Sequence, residues 1–500
     1  MSFFSTRGKS CVTASQAILS GLAPDGGLYV PAMFPQFSQQ MILSMVDMSW
    51  KERAVQILSA YLEDFSRGEI SEMVDAAYSA ERFDDPAICP VTEIDASTAL
   101  MELYHGPTLA FKDIALQLLP HLITRSARKN GEQREVAILT ATSGDTGKAA
   151  LEGFRDVPGT SCTVFYPLEG VSRIQQLQMT TTAGSNTHVI AVRGNFDDAQ
   201  TGVKELFSSA EFAAEMNQAG KVLSSANSIN FGRLVPQIIY YFSTYADLIG
   251  QRRILPGEEI NFVVPTGNFG DILAGYYARQ MGLPIKKLIC ASNRNNVLAD
   301  FFHTGSYSTH RMFVKTISPS MDILVSSNLE RLLYETADRD GELVSLWMKQ
   351  LKESGGYHIG EQRHDWLSSV FAASWADDRE TKREIRDLWQ QTHRLVDPHT
   401  AVGGCVLGEY RRNTGDNTFA VMVSTASPYK FAQDVLSAIE GDEAVQSRDA
   451  FECAARLEEI TGVPVPLQIA ALRDAPVRHK AVCDRDAQAM RAAVLEEVCG

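Results

Sequence analysis

Val136-Ala137-Ile138-Leu139-Thr140 runs directly into Ala141-Thr142-Ser143-Gly144-Asp145-Thr146-Gly147, and this junction decides the fold. Alternating polar and apolar residues would mark a strand with one wet face. An almost unbroken apolar run marks a strand buried on both faces. The small residues that follow turn the chain into a helical pattern. Outward from there the rhythm repeats. Residues 162–166, 187–192, 221–225, 261–264 and 287–291 read as strands. Residues 171–181, 197–208 and 234–248 read as helices between them. Such alternation predicts an α/β protein with parallel sheets covered by helices. Two sheets with a cleft between them fit a chain of 500 residues. Ligands of open α/β sheets bind beyond the carboxyl ends of strands.

The flanks read differently. Residues 1–97 form a mainly helical N-terminal domain, with helical patterns at 54–65 and 70–78 and a turn and short strand within 21–31. Residues 98–240 are predicted to form a smaller α/β domain and 241–435 a larger one. Within the latter, 347–394 is polar and helical in pattern. Residues 436–500 read as a helical extension whose helices are joined by Gly462-Val463-Pro464-Val465-Pro466. The net charge of −15 leaves no excess of cations to neutralise a nucleic-acid backbone. The eight cysteines show no C-x-x-C spacing, so no zinc site is expected. No leader pattern and no long apolar span is present, and a reducing cytoplasmic setting is expected.

Three segments carry chemistry. In His105-Gly106-Pro107-Thr108-Leu109-Ala110-Phe111-Lys112-Asp113 a lysine stands where a turn gives way to a helical pattern, between apolar and small neighbours. A desolvated lysine loses its proton more readily and can form a Schiff base. In Thr142 to Gly147, hydroxyls and small residues offer free N–H groups to a carboxylate, or simply cap a helix. In Thr266-Gly267-Asn268-Phe269-Gly270-Asp271, glycines let N–H groups close around a phosphate at a helix start, which Asp271 is expected to cap. Lysine, anion loop and glycine loop together are what a pyridoxal 5′-phosphate (PLP) enzyme needs. Asn227 to Arg233 and Val171-Ser172-Arg173 add amides, hydroxyls and arginines at other strand-to-helix junctions. Ser424-Thr425-Ala426-Ser427-Pro428 places hydroxyls at a strand end, and His399 is a candidate ligand contact.

These segments, with Ser5-Thr6-Arg7-Gly8, Ala23 to Pro31, Asn195-Phe196-Asp197-Asp198 and Ser318-Pro319-Ser320-Met321-Asp322, follow one another in an order that resembles the microbial threonine synthase family. The resemblance implies a fold-type II PLP enzyme, similar to the tryptophan synthase β subunit. It implies conversion of O-phospho-L-homoserine and water to L-threonine and phosphate, by a monomer or homodimer. The alternative is a related phospho-lyase releasing 2-oxobutyrate and ammonia. By resemblance Lys112 is the covalent cofactor residue and acid/base. Gly267, Asn268, Phe269, Gly270 and Asp271 match the cofactor loop, and Thr425 lies near the pyridine ring. Ser143, Gly144, Asp145 and Thr146 would hold the substrate carboxylate. Ser172, Asn230 and Arg233 are candidates for its phosphate. The chain departs from the family at Ser427, where histidine is common, and at Tyr429, which places a large ring where a small residue is usual.

Overall fold

The computed structural model describes residues 1–142, 144–168 and 171–499. Strands buried on both faces are its organising feature. Every residue of Thr160–Pro167 and of Ile260–Pro265 is buried, because helices cover both sides of each sheet. The smaller sheet has five strands, all parallel. Their order is Ala481–Asp484, Thr187–Arg193, Thr160–Pro167, Glu135–Ala141 and Lys221–Ser224. The larger sheet has six, in the order Phe371–Trp375, Ile285–Ser292, Ile260–Pro265, Ala420–Ser424, Thr98–Glu102 and Val91–Asp95. Only the last pair is antiparallel.

The helix Phe231–Gly250 is apolar nearly all round, and it is buried along almost its whole length. A helix of that pattern belongs inside a large protein. It packs on the helices Lys112–Lys129 and Gly270–Gln280, so it links the two halves of the site. Asn230 caps it, accepting a bond from the N–H of Gly232. The N-terminal segment contains the helices Trp50–Tyr61 and Arg67–Ala77, each opened by a serine–glutamate capping box. It also holds a three-stranded antiparallel sheet of Ser2–Ser5, Cys11–Thr13 and Tyr29–Pro31.

Three strands lie in stretches read as helical, the first being Gly356–His358, which pairs antiparallel with Ser306–Ser308 apart from the two large sheets. Phe371–Trp375 lies inside the stretch 347–394 and pairs with Ile285–Ser292 at the sheet edge. Ala481–Asp484 lies in the C-terminal extension and pairs with Thr187–Arg193. The latter two are short edge strands, mostly half-buried or exposed, so neither carries the continuous apolar run that marks the inner strands.

Candidate active site

Lys112 is the first residue of its helix, and the chain reaches it through a tight turn with Leu109 in the left-handed region at φ 59°. The turn is held by the segment after Ala420–Ser424. Phe111 N–H donates to the carbonyl of Thr425 at 2.9 Å, and Ser427 N–H donates to that of Leu109 at 3.0 Å. Thr425 and Lys112 are thereby fixed side by side. Asp113 locks the turn from within. Its carboxylate accepts from Thr108 N–H at 2.8 Å and from Thr108 Oγ1 at 2.7 Å. A Cβ at position 106 would lie 2.5 Å from Asp113 Cβ, so only glycine allows this approach.

Lys112 Nζ lies 3.7 Å from Asp145 Oδ2 and 4.7 Å from the centre of the Phe111 ring. Burial pulls its pKa down, Lys430 and Arg233 push the same way, and Asp145 opposes them. An amine so placed gives up its proton more readily than a surface lysine. Asp145 sits at the start of the helix Asp145–Phe154 with its carboxylate 3 % exposed. Lys430 Nζ contacts its Oδ1 at 2.8 Å. Gln175 Nε2 donates to the same oxygen at 3.3 Å, and Ser320 Oγ to the other at 3.4 Å. Burial alone would raise the Asp145 pKa; Lys430 and Lys112 outweigh it and hold the carboxyl well below the usual range.

Across the cleft, the Ile260–Pro265 strand ends in the glycine loop. Phe269 adopts the left-handed conformation, φ 64°, and its ring is buried against Phe302 and Phe371. That anchor turns the backbone of residues 267–271 outward, and their N–H groups meet no acceptor among the described residues. Gly267 cannot be larger, since a Cβ there would lie 2.6 Å from the Ser320 carbonyl oxygen. Asp271 does not cap the helix as the sequence suggests. Phe269 holds the capping position, so the carboxyl of Asp271 starts one turn position too late to reach the free N–H groups. It instead accepts from the hydroxyls of Tyr240 and Tyr241 at 2.7 and 2.9 Å. Burial pushes its pKa up to about 6, against the pull of those two hydroxyls.

The other predicted residues divide. Ser143 lies outside the described residues. Gly144 opens the Asp145 helix at φ 150°, and Thr142 Oγ1 accepts from the N–H groups of Gly144 and Gly147 at 3.0 Å each. Thr146 is half-buried beside them. Ser172 caps the helix Arg173–Thr180 in a box with Gln175. Asn230 donates to the Ile18 carbonyl and accepts from Gly232 N–H. The side chains of Ser172 and Asn230 are thus committed to the scaffold. Arg233 is different. It is 3 % exposed and, among the described residues, its side chain bonds only the Ala226 carbonyl through Nη1 and leaves Nε without a partner. Burial pushes its pKa down to about 10. A buried guanidinium without a carboxylate calls for an anion. Ser427 caps the short turn 428–431 and Tyr429 donates to the Val463 carbonyl, so the Tyr429 hydroxyl faces the C-terminal extension rather than the cleft.

Lys430, absent from the sequence candidates, and His399, which is among them, complete the centre. Lys430 is wholly buried and donates to the Thr108 carbonyl at 2.8 Å as well as pairing with Asp145. A lysine inside Pro428-Tyr429-Lys430-Phe431, with apolar neighbours, was the available signal. His399 accepts the Ser320 N–H on Nε2 at 3.1 Å, so its proton is on Nδ1 and is given to Asp397 at 2.7 Å. This pair supports Ser320, which in turn touches Asp145.

The free loop N–H groups and the desolvated Lys112 fit a phosphorylated aldehyde cofactor, and Arg233 leaves a buried cation for a second anion. The comparisons agree. Family profiles described as "Threonine synthase N terminus", "Pyridoxal-phosphate dependent enzyme" and "Threonine synthase, C-terminal" match residues 2–78, 94–361 and 400–494. The fold and site therefore define a PLP-dependent enzyme of fold-type II. Threonine synthase of Pseudomonas aeruginosa is 38% identical over 93% of this chain and 96% of its own. The PLP-bound threonine synthase structure from Brucella melitensis superposes with a TM-score of 0.88 at 36% identity, covering 100% of this chain and 99% of that one. The chain belongs to the threonine synthase family. Threonine synthase-like 1 of Homo sapiens is 39% identical over 85% of this chain, which spans only 58% of that relative's length.

Proposed function

We propose that this protein converts O-phospho-L-homoserine and water to L-threonine and inorganic phosphate, with PLP as cofactor. The observation that carries the reading is Lys112, held between the Asp145 carboxylate and the buried cations Lys430 and Arg233. When bound, the cofactor supplies an electron sink for charge developing on substrate carbon. Lys112 would hold it covalently, and the N–H groups of residues 267–271 would take its phosphate. Thr425 would stand near its ring nitrogen.

The chain's own groups do the rest. Lys112 Nζ, with its lowered pKa, removes the substrate Cα proton and later returns protons as acid. Asp145 holds Lys430 and Lys112 in register; being an anion, it does not bind a carboxylate. The substrate carboxylate therefore falls to the backbone N–H of Thr146 in the first helical turn, where the dipole favours negative charge; the Gly144 N–H is already given to Thr142 Oγ1, and Ser143 remains a proposed contact. Arg233 is the strongest candidate for the substrate phosphate, because Ser172 and Asn230 already have internal partners. Among the described residues seven cysteines are free and five of them buried, which supports a reducing, cytoplasmic compartment. We read the active unit as a monomer or homodimer.

Product analysis tests the reading. Protein, PLP and O-phospho-L-homoserine are mixed, and phosphate, threonine and 2-oxobutyrate are followed together. Threonine in step with phosphate is expected. Phosphate with 2-oxobutyrate and ammonia would make the protein a phospho-lyase, and no phosphate release would overturn both.

A further inference from the structure

A second anion-receptive cleft lies away from the active centre. It has a volume of about 520 Å³, and Arg82, His121, Arg125, Arg128 and Arg155 line it, with Asp156 the one lining carboxylate. Four guanidiniums around one concavity stand out in a chain of net charge −15. The helix Lys112–Lys129 supplies His121, Arg125 and Arg128 from its far half. At 1.5 Å per residue, Arg125 lies about 20 Å along that helix from Lys112. Arg155 follows the last turn of the helix Asp145–Phe154.

Internal partners neutralise this charge only in part. Arg82 bonds the Gln117 amide oxygen and the Glu152 carbonyl, and no carboxylate among the described residues. Arg155 pairs with Glu152, but Glu152 is already shared with Lys148. Arg125 bonds Glu72, a largely exposed side chain that solvent screens. Arg128 is exposed and makes no side-chain bond among the described residues. Guanidiniums fork onto phosphate oxygens two at a time, so four of them outnumber what one phosphate needs.

We propose that this cleft binds a small anion carrying two or more phosphate groups. Burial first, then Arg125 and Arg82, push the His121 pKa down to about 4, and an anion bound between the arginines would offset their part of that push.

Calorimetric titration of the cofactor-loaded protein with pyrophosphate, ATP and inorganic phosphate, at fixed ionic strength, tests this. Saturable one-to-one binding of pyrophosphate or ATP is expected, about tenfold or more tighter than inorganic phosphate. Arg128→Glu and, separately, Arg125→Gln should each weaken it about tenfold, with melting temperatures near that of the parent. Proton NMR should show the His121 midpoint moving up by about one unit when pyrophosphate is bound. Absence of saturable binding, binding indifferent to both substitutions, or an unmoved His121 titration would overturn the proposal. So would tighter binding of a poly-glutamate peptide than of pyrophosphate, which would make the cleft a protein-docking surface.

Discussion

Lys430 Nζ and Asp145 Oδ1, 2.8 Å apart and shielded from water, join a loop of the larger sheet to the first turn after a strand of the smaller one. The same ammonium donates to the Thr108 carbonyl, three residues before the Phe111–Lys112 step. One buried cation therefore fixes the spacing between Lys112, its turn and Asp145.

Replacing Lys430 by methionine leaves Asp145 a buried charge with one partner fewer. Stability should fall by about 3–5 kcal/mol, measured by denaturant unfolding. The double variant Lys430→Met with Asp145→Asn should lose less than the sum of the two singles. Additive losses would show that the pair is not coupled.

Lys112→Ala should abolish the visible absorbance of the lysine-bound cofactor. It should reduce turnover by about 10³-fold or more, since both the covalent handle and the proton carrier are gone. A coloured, active variant would remove Lys112 from the chemistry.

Gly267→Ala drives a methyl group to within 2.6 Å of the Ser320 carbonyl oxygen. The loop must shift, at a cost of about 1–3 kcal/mol, and PLP affinity should drop about tenfold or more. Equilibrium titration of the cofactor-free protein measures it. The His399 imidazole bonded to Ser320 N–H should feel the same shift, visible in its NMR spectrum.

Asp271 has a folded-state pKa raised to about 6 against an ordinary 3.8. Between those values the unfolded chain is ionised there while the folded one keeps its proton, so stability falls as pH rises through that window. Above it the penalty is complete, up to about 3 kcal/mol. Asp271→Asn should flatten this fall in the cofactor-free protein, measured as unfolding free energy from pH 4 to 7. Asp113, also raised to about 6, keeps its own slope in the variant.

Tyr429→Phe loses the bond to the Val463 carbonyl and should cost about 1 kcal/mol. Because that hydroxyl faces the C-terminal extension, the ratio of threonine to 2-oxobutyrate should not change. A changed product ratio would bring the Tyr429 position back into the cleft.

The inner strands were legible because burial on both faces leaves a short apolar run, far shorter than the buried helix Phe231–Gly250, bounded by turn residues. Edge strands such as Phe371–Trp375 carry no such run, and their pairing depends on a neighbour remote in sequence. The site shows the same split. Lys112 and the glycine loop announce themselves by local chemistry at strand and helix ends. Lys430 and the two tyrosines under Asp271 matter only through contacts made across the fold. The expected cap at Asp271 failed on one backbone angle: the left-handed turn at Phe269 moved the helix start forward.

The strand Ala481–Asp484 gives the smaller sheet a dependence on the order of synthesis. Thr187–Arg193 leaves the ribosome with one side of its hydrogen-bonding ladder bare, and its partner Ala481–Asp484 is made long after it. Until then the nascent chain displays an open template on which another chain could align. A message cut short before Ala481 would yield a protein with every active-site residue named above and an unguarded edge, prone to aggregate before it could catalyse anything.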